Sequence, residues 1–397
     1  MSKPSQTEDV SRRDFMKAVA ATSATVSAVG CSTTAPEASA APDPQPDKTS
    51  SNTQEVQVNA DQLIQAVEPL TFPWQTSDPF LFCAHHDDAY PKGNEKMGPA
   101  VSLAGRRIGM DFGGKDGWSM YHGEEVPGFP QHPHRGFETV TLARKGFIDH
   151  SDSMGATARF GTGDAQWMTA GRGIVHAEMF PLRSQAEDNP CELFQIWLNL
   201  PKANKMVEPH FTMLWREGIP THALTDDAGR AIEITTVAGA LDGQVPQSPP
   251  PSSWASRPEA KVAIWTMKLD PGTRWVMPEV EDDVERSLYV FLGDTVKIAG
   301  REVKRGHRVV LAGGLPVPIE AGAAPVQMLL LQGRPIKEPI ARRGPFVMNT
   351  PNEIRQAFVD YQRTRFGGWP WPRPDPVHQR EEGRFALHAD GRVERKG

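Results

Sequence analysis

Short apolar runs, separated at close intervals by turn-forming residues, are the feature that most constrains what this chain can fold into. The region 72–238 contains runs such as ETVTLARKGFIDHSD and NPCELFQIWLNLP, and the region after 261 contains VAIWTMKLDPGTRWVMPE and SLYVFLGDTVKIAG. These runs are rich in β-branched and aromatic residues and are bounded by Gly, Pro and Asp-Gly, as expected for strands between turns. The 35 glycines and 36 prolines also disfavour long helices. The sequence therefore predicts an all-β protein.

A proline-rich stretch divides the β-rich sequence into two blocks. Residues 243–260, GQVPQSPPPSSWASRPEA, have the composition of an interdomain linker. This predicts one domain over 72–242, a second domain over 261–368, and a charged, proline-containing tail of low order over 369–397.

One helix is predicted near the end of the second domain. Thr350 is placed to act as the N-cap, Pro351 occupies the first helical position, and Glu353 completes a capping box. Apolar residues then recur at helical spacing, and Gly367-Gly368 are expected to end the helix.

The N-terminus has the pattern of an export signal. Residues 11–17 read SRRDFMK and are followed by a short, uncharged, small-residue stretch, which predicts a twin-arginine signal over residues 1–31. Cys31 ends the sequence AVGC, which resembles a lipoprotein signal-peptidase box, so Cys31 is a candidate lipidation site. Residues 32–71 are rich in Ser, Thr, Ala and Pro and are interpreted as a disordered tether. We therefore expect an exported, periplasmic protein that contacts a membrane only if Cys31 carries a lipid. The alternative is cleavage after ASA at residues 38–40, which would give a soluble exported protein.

Charge and cysteine content exclude several classes of protein. The net charge of −6 and the pI near 6.1 argue against nucleic acid as a partner. The three cysteines, Cys31, Cys83 and Cys191, are too few for a disulfide framework and lack the close pairing of a thiolate zinc site.

Two pairs of candidate metal ligands occur at strand spacing. His132 and His134 lie in QHPHRGFETVT, and His176 and Glu178 lie in GRGIVHAEMF. Residues i and i+2 of a strand share one face, so each pair can present two ligand atoms to one ion. Three imidazoles and one carboxylate suit Fe(II), Mn, Ni, Cu or Zn and leave positions open for a substrate or oxygen.

The carboxylate of this set is ambiguous from spacing alone. Glu138 lies on the same strand face as His132 and His134 if the strand continues straight through Gly136. Glu138 and Glu178 therefore both remain candidates.

Longer motifs around these residues resemble the pirin family. They are HPHRGFETVT, HSDSMG, GDAQWMTAGRGIVHAE and FQIWLNLP, together with GRPIKEPIARRGPFVMNT before the predicted helix. The resemblance covers residues 72–368. It implies a cupin-superfamily fold in which two β-barrel domains pack face to face and are followed by a short C-terminal helix. It also implies a single metal site in the N-terminal barrel.

The family pattern implies a definite ligand set. His132, His134, His176 and Glu178 all match it, and Glu138 is left with a structural role. The cofactor implied is one divalent transition metal, with Fe(II) preferred and Mn, Ni, Cu or Zn as alternatives. The second barrel is expected to be metal-free.

The chain departs from the family pattern before the first histidine pair. The segment between DPFLF and HPH is longer than the resemblance predicts, and we expect it to lie near the mouth of the metal-binding barrel. It contains His85-His86-Asp87-Asp88, which we interpret as a polar loop rather than a second metal site.

Two functions are compatible with the resemblance. Some pirins resemble quercetin 2,3-dioxygenases, which implies an oxidoreductase that cleaves a flavonol or related enolic aromatic substrate with dioxygen and uses Glu178 to accept a proton. Other family members imply the alternative, a metal-dependent or redox-responsive protein-binding module, which would require a partner in the cell envelope. A monomer is expected in either case.

Overall fold

The computed structural model describes residues 58–397. The predicted twin-arginine signal, Cys31 and residues 32–57 of the predicted tether lie outside the described residues. Within residues 58–397, no helix is both long enough and apolar enough to cross a membrane.

Strands dominate the part of the chain that the structure describes, and this confirms the all-β prediction. In chain order the strands are β1 (Ile64–Pro69), β2 (Phe80–Asp88), β3 (Gly128–His134), β4 (Phe137–Lys145), β5 (Phe147–Asp152), β6 (Thr157–Gly161), β7 (Ala165–Thr169), β8 (Ile174–Met179), β9 (Cys191–Asn199), β10 (His210–Leu214), β11 (Thr221–Thr225), β12 (Ala231–Ala238), β13 (Ala263–Leu269), β14 (Arg274–Met277), β15 (Glu285–Leu292), β16 (Thr295–Ile298), β17 (Arg301–Lys304), β18 (His307–Leu311), β19 (Val317–Ala321), β20 (Val326–Gly333), β21 (Ala341–Arg343), β22 (Phe346–Met348), β23 (Arg384–Leu387) and β24 (Val393–Lys396). The helices are α1 (Ala60–Leu63) and α2 (Pro351–Thr364).

The first barrel consists of two antiparallel sheets. One has the order β10-β7-β4-β9-β2 and the other has the order β24-β23-β6-β5-β8-β3. Apolar side chains from both sheets, including Ala143, Leu193, Ile148 and Phe160, are buried between them in one cluster. Burial of these side chains holds the two sheets of the barrel together.

The second barrel is built in the same way. A seven-stranded sheet, β1-β18-β15-β20-β13-β12-β11, lies against a four-stranded sheet, β14-β19-β16-β17. Trp265, Leu288 and Leu330 from the first of these sheets and Val296 and Ile319 from the second share one buried core.

The two barrels pack face to face through the outer faces of the five-stranded sheet of the first barrel and the seven-stranded sheet of the second. Val140 and Ile196 of the first barrel and Ile264 and Leu329 of the second belong to one buried apolar cluster. Alternation along each strand explains this arrangement, because one set of residues fills the barrel and the other set fills the interface.

Segments near the two ends of the described residues complete both barrels. Strand β1, in the region interpreted as tether, pairs with β18 of the second barrel. Strand β23, in the region interpreted as a tail of low order, pairs with β6 of the first barrel. Both pairings are between residues far apart in sequence, so local composition did not indicate them.

Helix α2 begins as predicted and ends earlier than predicted. The Thr350 hydroxyl accepts from the Glu353 N–H, and the Glu353 side chain accepts from the backbone of Thr350, which confirms the capping box. The helix ends at Thr364 because Arg365 adopts a left-handed conformation with φ of +52°, before Gly367 is reached.

Candidate metal centre

Strands β3 and β8 bring three histidines together inside the first barrel. The two strands are antiparallel, and His132 lies directly opposite His176. The ring centroids are 4.8 Å apart for His132 and His134, 4.4 Å for His132 and His176, and 4.9 Å for His134 and His176. One ligand atom from each ring lies within 4.8 Å of the others, so the three imidazoles can bind a single ion.

Glu178 lies beside this cluster on β8. Its Oε2 is 3.9 Å from His176 Nε2. Thr141 Oγ1 donates to Oε1 at 2.8 Å, and Gln195 Nε2 donates to Oε2 at 3.3 Å. Burial raises the pKa of Glu178, partly opposed by the hydrogen bond from Thr141. The carboxyl group is thus held in a low-dielectric site next to the histidines.

Glu138 has a different position, because the chain turns sharply between β3 and β4. Gly136 has φ of +83°, and a Cβ atom there would lie 2.0 Å from the carbonyl oxygen of Val347, so only glycine fits. The strand therefore does not run straight through Gly136. Thr169 Oγ1 donates to Glu138 Oε1 at 2.6 Å, and Ser253 Oγ donates to Oε2 at 2.5 Å.

The ring nitrogens of the histidine cluster are suited to metal binding. Both nitrogens of His176 and Nδ1 of His134 are buried without a hydrogen-bond partner, which is costly for polar atoms unless a ligand satisfies them. Burial lowers the pKa of His132 to about 4, and it lowers the pKa values of His134 and His176 well below the ordinary histidine range. The imidazoles are therefore neutral at pH 7, as metal coordination requires. The residues present fit a divalent transition metal.

His150 belongs to the surroundings of this cluster, although the predicted ligand set does not include it. It lies opposite Glu178 in the pairing of β5 with β8, and its ring centroid is 5.6 Å from that of His176. Its Nε2 is 3.2 Å from Asp152 Oδ2, and its ring stacks on Phe211 at 5.0 Å. The HSDSMG motif, with a histidine and an aspartate at strand spacing, was the signal that could have identified it.

The histidines of the long segment before β3 do not join the cluster. His85 and His86 lie within β2, so the interpretation of His85-His86-Asp87-Asp88 as a loop is wrong. His85 Nε2 is 3.2 Å from Glu192 Oε1, and His86 Nδ1 is 2.8 Å from the Tyr121 hydroxyl. Both rings instead pack among aromatic side chains.

Access to the cluster differs between its members. His134, His176 and Glu178 are buried, whereas His132 is only half-buried. The solvent-accessible side of the cluster is therefore the side on which His132 lies.

Both barrels match known protein-family models. Residues 64–198 match the model described as Pirin, and residues 264–367 match the Pirin C-terminal cupin domain. A Pseudomonas aeruginosa protein named "Putative quercetin 2,3-dioxygenase" is 37% identical over 240 residues, which cover 60% of this chain and 79% of the relative. Human pirin is 34% identical over 252 residues, which cover 62% of this chain and 80% of human pirin.

A solved structure has the same fold. Quercetin 2,3-dioxygenase from Acinetobacter baumannii superposes with a TM-score of 0.60 and 24% identity, covering 77% of this chain and 98% of that chain. At this identity the likeness supports the two-barrel architecture alone.

Proposed function

Because this chain belongs to the pirin family of two-domain cupin proteins, we propose that it is a quercetinase-like dioxygenase. It would bind one divalent transition metal, preferentially Fe(II), through His132, His134, His176 and Glu178. Its substrate would be a flavonol or a related enolic aromatic compound, and dioxygen would be the co-substrate. The name of the Pseudomonas aeruginosa relative supports this choice of reaction.

The observation that carries the proposal is the combination of three neutral imidazoles with a buried carboxylate. The ligand atoms of His132, His134 and His176 lie within 4.8 Å of one another, and Glu178 Oε2 lies 3.9 Å from His176 Nε2. A metal bound there would polarise the enolic hydroxyl group of the substrate and support electron transfer to dioxygen.

Residues of the chain then have distinct roles in the reaction. Glu178 would accept the proton of the substrate hydroxyl at one of its carboxylate oxygens, because it is the carboxylate that lies beside the histidine cluster. Thr141 and Gln195 hold that carboxylate through their hydrogen bonds. Phe137 and Trp197, whose rings lie 5.0 Å and 5.4 Å from that of His134, exclude water from one side of the cluster.

Turnover by the full chain tests this proposal. The protein is first loaded with Fe(II) under anaerobic conditions. Once air is admitted, it should consume dioxygen and bleach the visible absorption band of a flavonol. Glu178→Gln should lower kcat at least about 100-fold, because it removes the base and also a proposed metal ligand. Glu138→Gln is the matched control and should keep kcat, since Glu138 binds Thr169 and Ser253 instead of the cluster. Absence of turnover with Fe(II), Mn, Ni, Cu and Zn across several flavonols would exclude the reaction.

The nature of the bound metal is tested separately from turnover. Metal analysis of protein gently purified from its native host should find about one transition-metal ion per chain. We expect iron to predominate. Protein that holds only traces of metal, and that cannot be reloaded, would contradict the ligand assignment.

We also propose that the protein is exported and anchored by a lipid on Cys31. The motif SRRDFMK and the sequence AVGC support this. Replacing both Arg12 and Arg13 with lysine should retain the protein in the cytoplasm. Cys31→Ser should release exported protein from the membrane fraction, and unchanged fractionation of both variants would contradict the proposal.

A further inference from the structure

Aromatic side chains form a continuous row from the protein surface to His132. Phe129 of β3 has its ring centroid 6.3 Å from that of His132. Phe129 also lies 5.9 Å from His122 and 6.4 Å from Phe112. Phe112 lies 5.0 Å from His122 in an edge-to-face contact and is 42% exposed. The row therefore begins at an exposed phenyl ring and ends at the accessible member of the metal cluster.

The backbone holds the exposed end of this row in place relative to β3. Asp111 and Tyr121 exchange backbone hydrogen bonds of 2.9 Å and 2.8 Å, and Tyr121 in turn forms a parallel bridge with Gly128 at the start of β3. Phe112 directly follows Asp111. Its position relative to His132 is thus set by two successive backbone pairings.

Arg106 stabilises the base of the same loop. Its guanidinium lies 3.2 Å from the centroid of the Trp118 ring, and its Nη1 donates to Asp111 Oδ2 at 3.0 Å and to the Trp118 carbonyl at 2.8 Å. Phe112 is followed by Gly113 and Gly114, around which a Cβ atom would meet nothing within 4 Å. Phe112 therefore lies at the exposed tip of a loop whose base is held by the hydrogen bonds of Arg106.

The C-terminal segment also contacts β3 and the segment that precedes it. The Gln131 N–H of β3 donates to the Pro374 carbonyl at 2.7 Å, and the Trp371 indole N–H donates to the Asp152 carbonyl at 2.8 Å. Arg373 lies 3.4 Å from Glu125. The segment that carries Phe112 and the C-terminal segment are thus joined by an ion pair.

We propose that Phe112 and Phe129 form an aromatic subsite that binds a planar aryl substituent of the substrate while the enolic group lies at the metal centre. This inference rests on the proposed function and deepens it, because it names specificity-determining residues outside the metal ligands. Phenyl rings stack on planar aromatic ligands offset or edge-on at centroid distances of about 4.5–7 Å, and exposed ring faces favour such contacts. An aryl-bearing ligand would gain this contact, whereas a ligand with the enolic group alone would not.

The test measures binding rather than turnover. Full-chain protein loaded with zinc, which is redox-inactive, is titrated without oxygen with a flavonol and with 3-hydroxychromone, which lacks the pendant aryl ring. Wild-type protein should bind the flavonol at least about 10-fold more tightly. Phe112→Ala should weaken flavonol binding about 10-fold and leave 3-hydroxychromone binding unchanged. Phe112→Tyr should restore the preference.

Controls separate this subsite from general effects. Leu292→Ala removes an apolar side chain of similar exposure, 40%, from the second barrel and should change neither affinity. If Phe112→Ala weakens the binding of both ligands equally, or of neither, the proposed subsite is wrong. If the aryl preference depends on Phe112 but no flavonol is turned over with any metal, only the oxygenase proposal fails.

Discussion

Two buried glutamates near the metal strands show how strongly the neighbours of a residue decide its role. Glu178 lies beside His176 and is held by Thr141 and Gln195. Glu138 is equally buried, but its carboxyl group accepts hydrogen bonds from Thr169 and from Ser253 of the proline-rich stretch. Glu138 therefore fastens that stretch to the first barrel.

The protonation state of the Glu138 carboxyl group should make the free energy of unfolding depend on pH. Burial raises its pKa from 4.5 to about 7, although the hydrogen bonds from Ser253 and Thr169 oppose this. Between these two values the folded protein binds more protons at this site than the unfolded chain does. The stabilisation that Glu138 contributes to the folded state is therefore complete below pH 4.5 and is lost as the pH rises through about 7. Glu138→Gln should remove this part of the pH dependence.

Urea unfolding of metal-free wild-type protein and of Glu138→Gln, compared from pH 4.5 to pH 8, measures the effect. The difference between the two free energies of unfolding should change most between pH 4.5 and 7, because other titrating groups cancel in the comparison. A constant difference across this range would contradict the assignment.

At the scale of elements, the C-terminal strand pair β23-β24 is an integral part of the first barrel. Arg159 of β6 is fully buried and forms an ion pair with Asp149 at 2.6 Å. Its remaining N–H groups donate to carbonyl oxygens just before β23, those of His378, Gln379 and Glu382. The C-terminal segment thus satisfies a buried charge in the first barrel.

Truncation of this segment should therefore destabilise the protein. A chain ending at Gly368 leaves the Arg159 guanidinium without three acceptors and exposes the edge of β6. We expect the free energy of unfolding to fall by at least about 3 kcal/mol, because unsatisfied donors on a buried charge are costly. Chemical denaturation measures the loss.

A shorter truncation provides the control. A chain ending at His388 loses β24 but keeps β23 and the three carbonyls that bind Arg159. It should lose less stability than the chain ending at Gly368. Equal losses would show that Arg159 does not depend on the C-terminal segment.

At the scale of the whole molecule, each barrel depends on chain segments from elsewhere. Strand β1 completes the second barrel, and β23 completes the first. The outer faces of both barrels share one buried cluster. Residues 58–397 also form one compact unit by their contacts. Stabilisation of the first barrel should therefore be visible in the unfolding of the whole molecule.

Metal binding is the clearest test at this scale. A ligand that binds only the folded state at about 100 times its Kd stabilises that state by about 2.7 kcal/mol. Adding Fe(II), Mn or Zn should therefore raise Tm by several degrees, and a chelator should reverse the shift. His134→Ala should abolish the shift, whereas His307→Ala in the second barrel should preserve it. A shift that survives His134→Ala would place the binding site elsewhere.

The local sequence carried much of the architecture and the histidine part of the site. Apolar runs between glycine and proline turns determined an all-β chain, because strand length and turn chemistry are local properties. The capping box at Thr350 determined the start of α2 for the same reason. The spacing of His132 and His134 placed two imidazoles on one strand face, which depends only on the alternation of a strand.

Tertiary structure decided what depends on contacts between distant residues. The left-handed turn at Gly136, fitted against Val347, separated Glu138 from the histidines and directed it towards Ser253. The register of β3 with β8 set His132 opposite His176, and the register of β5 with β8 brought His150 beside Glu178. Strands β1 and β23 pair with barrels remote from them in sequence. The pairing of such a strand depends on the partner that buries its apolar face and not on its own composition.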